Sequence, residues 1–353
     1  MDKQTDMSGM LEMLPHPAFF VKKGIITQAN QAACQLQIQP KTPIDAILGN
    51  NTEEYHDFDG GCLCLTLILS GCPMLSSVTR MNGFDLFTID QAAEQAELKA
   101  MALTATNFRE PLSDIIALKE QLLPDSSDPL MQNRIGQMNR RLTQLHRMVC
   151  NMADALQFAT NAIPRMECQD VCAMTEEILE RAAVLAEKAG FRLTYQVPRE
   201  AIISMIARDR LERAIYNILS NAMKNSPPGS TIEAKLSHRG KKLYLSIQDN
   251  GPGIPPHLLG SLYGRYRRQP GIEAQPTGVG LGMVLVRGTA AAHGGAVLID
   301  QPEGKGTRIT MSLAIQTIAT EMLRSNVMAV DYAGEYDHGL LELSDVLPPE
   351  LYI

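Results

Sequence analysis

Three side chains on one predicted helix could bind a magnesium ion and phosphate groups. Asn217, Asn221 and Lys224 are spaced four and three residues apart, which places them on one face of the helix predicted at 209–225. Two amide oxygens beside an ammonium group suit a hydrated magnesium ion and the phosphates that it bridges. The spacing therefore predicts a magnesium and phosphate site on this helix.

Glycine-containing turns could bind the other parts of a nucleotide. Residues 249–254, DNGPGI, directly follow a predicted strand. A carboxylate there can accept a hydrogen bond from an exocyclic amine, and the glycines let a flat ring approach the backbone. Residues 277–282, TGVGLG, open a predicted helix and offer backbone N–H groups to phosphate oxygens. A fourth segment, GKGT at 304–307, precedes the last predicted strand.

The order and spacing of these four segments resemble the N, G1, G2 and Gly-x-Gly-Thr boxes of the GHKL ATPases, whose Bergerat fold holds ATP between helices and a mixed sheet. The resemblance implies that Asn221 ligates Mg2+ and that Asn217 supports it. Lys224 then reaches the phosphates and Asp249 reads the adenine amine. Between the G1 and G2 boxes the resemblance implies a lid, from which an arginine contacts phosphate. The other implied nucleotide contacts are Gly251, Gly253, Arg265, Gly278, Gly280, Leu281, Gly282 and Thr307.

Two helices with sustained apolar spacing precede the ATPase-like segment, within residues 93–160. Apolar residues recur at steps of three and four from Leu98 to Leu122 and again from Met131 to Leu156. Asp128 and Pro129 are suited to begin the second helix. One antiparallel hairpin buries both seams poorly, so the pattern predicts a homodimer with a four-helix bundle. The alternative is that the seams pack against the chain's own domains.

Residues 1–90 favour a small mixed α/β domain. Short strands are predicted at 18–21, 24–27, 62–69, 77–81 and 85–89, and Asn82-Gly83 is a hairpin signal. This order, with Asn30 opening a helix, resembles a PAS-type sensor domain. The expected fold class is therefore α+β: a PAS-like domain, a helical hairpin and a Bergerat-type α/β sandwich at 168–315.

Together these parts resemble a cytoplasmic sensor histidine kinase of two-component signalling, which implies a response regulator or a partner kinase as binding partner. Thr106 stands where that family has the phosphoacceptor histidine. A threonine hydroxyl needs a general base to become nucleophilic, and Glu110 lies four residues further on. His146 is a second candidate acceptor, since both residues lie ~25 Å from the hairpin loop. The other interpretation of His146 is an exposed residue on a solvated, arginine-rich face.

Three functions remain open at this point. The leading one is a pseudokinase that binds Mg-ATP and controls a partner. The second is an active kinase that phosphorylates Thr106, His146 or another protein. The third is an ATP-stabilised dimeric scaffold, in which residues 316–353 form an appended acidic tail that docks a basic partner. That tail holds seven acidic residues and one arginine.

Composition excludes several other classes. The 353-residue chain has a formal net charge of -7, which argues against general nucleic-acid binding. No apolar run approaches the ~20 residues of a membrane-spanning helix, and no signal peptide is recognisable, so a cytoplasmic location is expected. Cys62 and Cys64 could in principle bind a metal, but their apolar surroundings favour a buried strand.

Overall fold

The computed structural model has the expected α+β class. It describes residues 9, 11–81, 83–89, six positions between 104 and 115, 128–159, 164–254, 281–302, 306–316 and 337–353. Predictions for most of the first bundle helix, including Thr106 and Glu110, and for Asn82, the lid between 254 and 277 and residues 277–280 lie outside these residues. No helix in the described ranges is long and apolar enough to cross a membrane.

The N-terminal domain is a five-stranded antiparallel sheet in the order β2-β1-β5-β4-β3. Asn30 links its first helix to the sheet, because its Oδ1 accepts hydrogen bonds from the backbone N–H groups of Ala33 at 2.9 Å and of Ala18 at 3.0 Å. Phe19 and Phe87 stack in the core, with ring centroids 4.8 Å apart. The elements are β1 (Ala18–Lys22), β2 (Ile25–Ala29), α1 (Gln31–Gln35), α2 (Asp45–Leu48), α3 (Thr52–His56), β3 (Cys62–Leu69), β4 (Cys72–Met81) and β5 (Phe84–Ile89).

A long helix, α4 (Pro129–Ala159), follows, and the six described positions between 104 and 115 are also helical. It begins where the sequence predicts, and the Asp128 carboxylate accepts a hydrogen bond from the Leu130 N–H at 3.0 Å. Its buried face, however, is mostly polar, whereas the seam residues Met131, Met138 and Leu145 are 45%, 42% and 46% exposed. Among residues 129–154 of this helix, the buried ones are Gly136, Asn139, Thr143, Gln144, His146, Arg147, Cys150 and Asn151.

The C-terminal domain is a five-stranded sheet in the order β11-β12-β10-β9-β7 with helices packed against it. Neighbouring strands are antiparallel, apart from the parallel pair β7 and β9. A separate two-stranded sheet pairs β6 with β8. The elements are β6 (Glu167–Asp170), α5 (Val171–Lys188), β7 (Arg192–Gln196), β8 (Ile203–Ile206), α6 (Arg208–Asn225), β9 (Thr231–Arg239), β10 (Lys242–Gln248), α7 (Gly282–Ala292), β11 (Val297–Asp300) and β12 (Arg308–Ala314).

The two sheets form one continuous ten-stranded sheet, because β3 pairs antiparallel with β11. A Cβ atom on Gly61, just before β3, would lie 2.2 Å from the carbonyl oxygen of Ile299 on β11, so only glycine fits there. Glu54 adds a polar contact across the same junction by pairing with Lys242 and accepting a hydrogen bond from Ser312. The sequence patterns do not predict this junction.

Residues 337–353 are part of the folded core, which corrects their interpretation as an appended tail. They form α8 (His338–Glu342) and a 3-10 helix (Pro349–Tyr352). Leu343 and Leu347 are fully buried and join the core that α5 and α6 form on the sheet. The prediction relied on the acidic composition of this segment and did not take account of the apolar spacing of its leucines.

Candidate nucleotide-binding site

Asp249 lies directly after β10 and is 6% exposed. Its Oδ1 accepts hydrogen bonds from the backbone N–H groups of Gly251 at 2.8 Å and Thr307 at 2.9 Å. Burial raises the pKa of this carboxyl, although the two N–H donors act in the opposite direction. No Lys or Arg of the described residues forms an ion pair with it. Within the described ranges it is therefore a buried carboxylate without a cationic partner.

Gly306 and Thr307, the described residues of the fourth segment, lie directly against the Asp249 turn. A Cβ atom on Gly306, which has φ +70°, would lie 2.0 Å from the Asp249 carbonyl oxygen. Gly253 has φ +77° and its Cβ would overlap the Gln301 side chain. Both glycines are therefore needed for the close approach of these two turns. The structure thus brings two of the four sequence segments together.

The helix α6 carries the polar side chains of the first segment. Asn217 is buried, and its Nδ2 donates to the Arg213 carbonyl oxygen at 2.8 Å. Asn221 and Lys224 are half-buried further along the helix. A Cβ atom on Gly282 would lie 2.8 Å from Asn217 Oδ1, so α7 begins against this face of α6. Leu281, just before α7, is buried, and the first and third segments also meet.

Some of the predicted contacts fall outside the described residues. These are Arg265, in the predicted lid, and the two glycines Gly278 and Gly280. The described part of the site therefore consists of the Asp249 turn, the Thr307 turn and one face of α6.

The sequence analysis missed the acidic side chains that contact this face of α6. Glu342 has a fully buried side chain and accepts hydrogen bonds from the Nε atoms of Arg147 and Arg213, each at 2.9 Å. Asp345 accepts from Arg147 Nη1 at 2.8 Å and pairs with Lys224. Although burial acts in the opposite direction, Arg147 and Lys224 hold the pKa of Asp345 below its usual range. The leucine spacing in 340–347 was the sequence signal that these residues pack on the domain.

His293, at the end of α7, is a second missed residue. It is fully buried, and its Nε2 accepts a hydrogen bond from the backbone N–H of Ala207 at 3.0 Å. Its Nδ1 therefore carries the proton and donates to the Thr289 carbonyl oxygen at 2.7 Å. Burial lowers the pKa of His293. The residue fixes the start of α6, because Ala207 immediately precedes that helix.

His146 is not on a solvated face. It is 4% exposed and lies on the side of α4 that packs against the rest of the chain. The neighbouring Arg147 is equally buried and donates to Asn217 Oδ1 at 3.1 Å. The sequence pattern did not predict this burial, because it could not show which elements meet the polar face of α4.

These features accord with comparisons to known proteins. Residues 206–317 match the model of the histidine kinase-, DNA gyrase B- and HSP90-like ATPases. This segment is therefore similar to the ATPase domain of those proteins. The match begins at the end of β8 and continues just past β12, so it includes α6, Asp249 and the Thr307 turn.

Curated relatives of the chain include a sensor-like histidine kinase and a sensor protein. The sensor-like histidine kinase SenX3 of Mycolicibacterium smegmatis is 24% identical over 240 residues, which are 65% of this chain and 62% of the relative. The swarming motility regulation sensor protein RssA of Serratia marcescens is 29% identical over 217 residues, 60% of this chain and 45% of RssA. The chain thus spans about half the length of these relatives.

A solved structure with a similar chain is that of histidine kinase ThkA in complex with the response regulator protein TrrA. It is 14% identical and has a TM-score of 0.44, with 87% of this chain and 98% of that chain covered.

Proposed function

We propose that the chain binds Mg-ATP at the site formed by α6, the Asp249 turn and the Thr307 turn, and acts in two-component signalling as a sensor-kinase homologue. The observation that carries the proposal is the Asp249 carboxylate. It is buried, held by two backbone donors and not neutralised by a cation of the described residues. A carboxylate has about four acceptor positions, so it can still accept a hydrogen bond from an adenine amine.

The donor set on α6 fits the metal and the phosphates. Asn221 offers an amide oxygen to Mg2+, Asn217 supports it, and Lys224 offers an ammonium group to phosphate oxygens. When bound, the metal ion would neutralise phosphate charge. Gly251, Gly253 and Thr307 let the adenine ring approach, and Leu281 and Gly282 begin the helix beside the phosphates. We assign Arg265, Gly278 and Gly280 to the same nucleotide as lid and loop contacts.

Isothermal titration calorimetry with Mg-ATP tests the site directly. Losing a hydrogen bond to a charged group costs about 1.5–3 kcal/mol. Asp249→Ala should therefore weaken binding at least tenfold. Asp59→Ala, an exposed aspartate in the N-terminal domain, is the matched control and should bind like wild type. An unchanged dissociation constant in Asp249→Ala would contradict the adenine assignment.

We further propose that the chain is a pseudokinase or an atypical kinase. Thr106 occupies the acceptor position, and His146, the alternative acceptor, is buried. Incubation with labelled Mg-ATP should give little or no incorporation into the wild-type chain. Acid-labile label lost in His146→Ala would identify phosphohistidine, whereas acid-stable label lost in Thr106→Ala would identify phosphothreonine. Transfer of the labelled phosphate to a partner protein would be the activity of an atypical kinase.

The other modules support a sensor that dimerises. The strand order β2-β1-β5-β4-β3, with Asn30 capping the first helix, supports a PAS-type N-terminal domain. The heptad-spaced residues Met131, Met138 and Leu145 are exposed in the single chain, which supports a homodimer through the helical hairpin. Sedimentation velocity should show a dimer. A response regulator or a partner kinase is the binding partner that we propose for it.

A further inference from the structure

The acidic residues of 337–353 lie on cations from two helices that belong to different modules. Arg147 comes from α4, whereas Arg213 and Lys224 come from α6, the helix that carries the proposed metal ligands. Glu342 pairs with both arginines, and Asp345 pairs with Arg147 and Lys224. We refer to residues 337–353 as the docked segment. It connects the long helix to the phosphate side of the nucleotide site.

Hydrogen bonds from side chains of α4 to backbone carbonyl oxygens hold the docked segment in one register on that helix. Arg140 donates from Nε to the Ser344 carbonyl oxygen and from Nη2 to the Asp345 carbonyl oxygen, both at 2.9 Å. Gln144 donates to the same Ser344 oxygen at 3.0 Å, and Asn139 donates to the Tyr352 carbonyl oxygen at 2.6 Å. These contacts direct the Asp345 side chain towards α6 and fix where its charge lies.

The position of Asp345 has a consequence for any anion that approaches α6. Its carboxylate neutralises Lys224, the cation that the proposed function assigns to the nucleotide phosphates. Glu342 lies close by and contacts Asn217, whose Nδ2 is 3.4 Å from Glu342 Oε2. A triphosphate would therefore meet a lysine whose charge Asp345 already neutralises, and it would have to displace that carboxylate to pair with Lys224.

We infer that the docked segment is autoinhibitory: Asp345 takes the lysine that a nucleotide phosphate would use, so that docking of the segment and binding of Mg-ATP oppose each other. The inference rests on the proposed function, because it needs the nucleotide site on α6. By linkage, the factor by which docking weakens nucleotide binding equals the factor by which nucleotide weakens docking. Loss of docking also removes two carboxylates that bridge α4 and α6, which then keep only their direct contacts, such as the hydrogen bond from Arg147 to Asn217.

The isosteric variant Asp345→Asn tests the charge alone. The leucines Leu341, Leu343 and Leu347 are fully buried and keep the segment folded in this variant. Mg-ATP should bind Asp345→Asn about tenfold more tightly than wild type in calorimetry. Glu350→Gln is the matched control, because Glu350 is an exposed acidic residue of the same segment, and it should remain within twofold of wild type.

Hydrogen exchange gives a second, independent measurement. In wild type, Mg-ATP should speed amide exchange across 337–353. Magnesium alone, in buffer without nucleotide, should leave the exchange rates unchanged. Equal affinities of wild type and Asp345→Asn, with both binding Mg-ATP, would overturn the autoinhibition and leave the nucleotide site intact. Absence of Mg-ATP binding in wild type, Asp345→Asn and Glu350→Gln alike would overturn the nucleotide site and the inference together.

Discussion

The two halves of the candidate site differ in how their charges are satisfied. On the adenine side, the Asp249 carboxylate is buried beside backbone donors, without a cation of the described residues to neutralise it. On the phosphate side, Lys224 is neutralised by Asp345, and Asn217 is engaged by Arg147 and Glu342. The adenine side thus keeps a carboxylate that can still accept a hydrogen bond from a ligand. On the phosphate side, the chain's own acidic residues already pair with the cation that a ligand would use. From this difference we infer that one half of the site recognises the adenine, whereas the other half regulates binding of the phosphates.

The largest effect is expected from removing the central acid of the phosphate side. Glu342→Ala leaves Arg147 and Arg213 with one partner fewer in a buried position, which should lower the free energy of unfolding by about 3 kcal/mol. Urea denaturation measures this change. Glu350→Ala, at an exposed position of the same segment, should change the free energy by less than about 0.5 kcal/mol.

A stable Glu342→Ala protein would contradict the comparison. It would mean that the buried ion pairs on the phosphate side are worth no more than exposed ones, so that α4 and α6 are not held together by the docked segment.

A smaller effect, opposite in sign for stability and for binding, is expected on the adenine side. Asp249→Asn keeps an Oδ1 acceptor for Gly251 and Thr307 but removes the buried charge. Because the pKa of Asp249 is raised, the folded state loses stability as pH rises through that pKa, and Asn should lose none. The melting temperature of Asp249→Asn at pH 7 should therefore equal or exceed that of wild type, while Mg-ATP binding weakens about tenfold.

Differential scanning calorimetry and titration on the same sample separate the two quantities. A variant that melts lower and binds ATP normally would reverse the assignment and make Asp249 a structural residue.

The smallest effect at neutral pH is expected at His293, which positions α6 for both halves. Its pKa is lowered by burial, with Arg210 adding to the effect, whereas the unfolded chain takes up a proton near pH 6.5. The stability that His293 contributes is therefore present above pH 6.5 and is lost as pH falls below it, by at most about 1.4 kcal/mol per pH unit. Urea denaturation between pH 7.5 and 5 should show this slope.

His293→Gln has no titratable group and should show a flatter profile in the same range. Identical pH profiles for the two proteins would show that His293 does not govern the acid sensitivity of α6.

Local sequence patterns predicted many of the elements well. The strand Cys62–Leu69 has the predicted bounds, and the helix Arg208–Asn225 begins one residue before the predicted start, because caps, turns and apolar periodicity act over a few residues. The family resemblance implied that Asp249 and Thr307 bind the same nucleotide, and in the structure the two residues are hydrogen-bonded. Short elements such as β6 and β8 were missed, since four residues carry little periodic signal.

The sequence by itself determined the segments that could bind a nucleotide, the beginning of α4 and the apolar spacing of its seam. Only the tertiary structure decided that the polar face of α4 is buried, that β3 pairs with β11, and that Asp345 reaches Lys224. The physical reason is that the partners in these contacts lie far apart in the sequence. Asp345 and Lys224 are 121 residues apart and Arg147 and Glu342 are 195 apart, and a charge in a sequence does not specify which distant charge will neutralise it. That choice depends on the chain's folding back over the site, which the buried leucines around Asp345 make favourable.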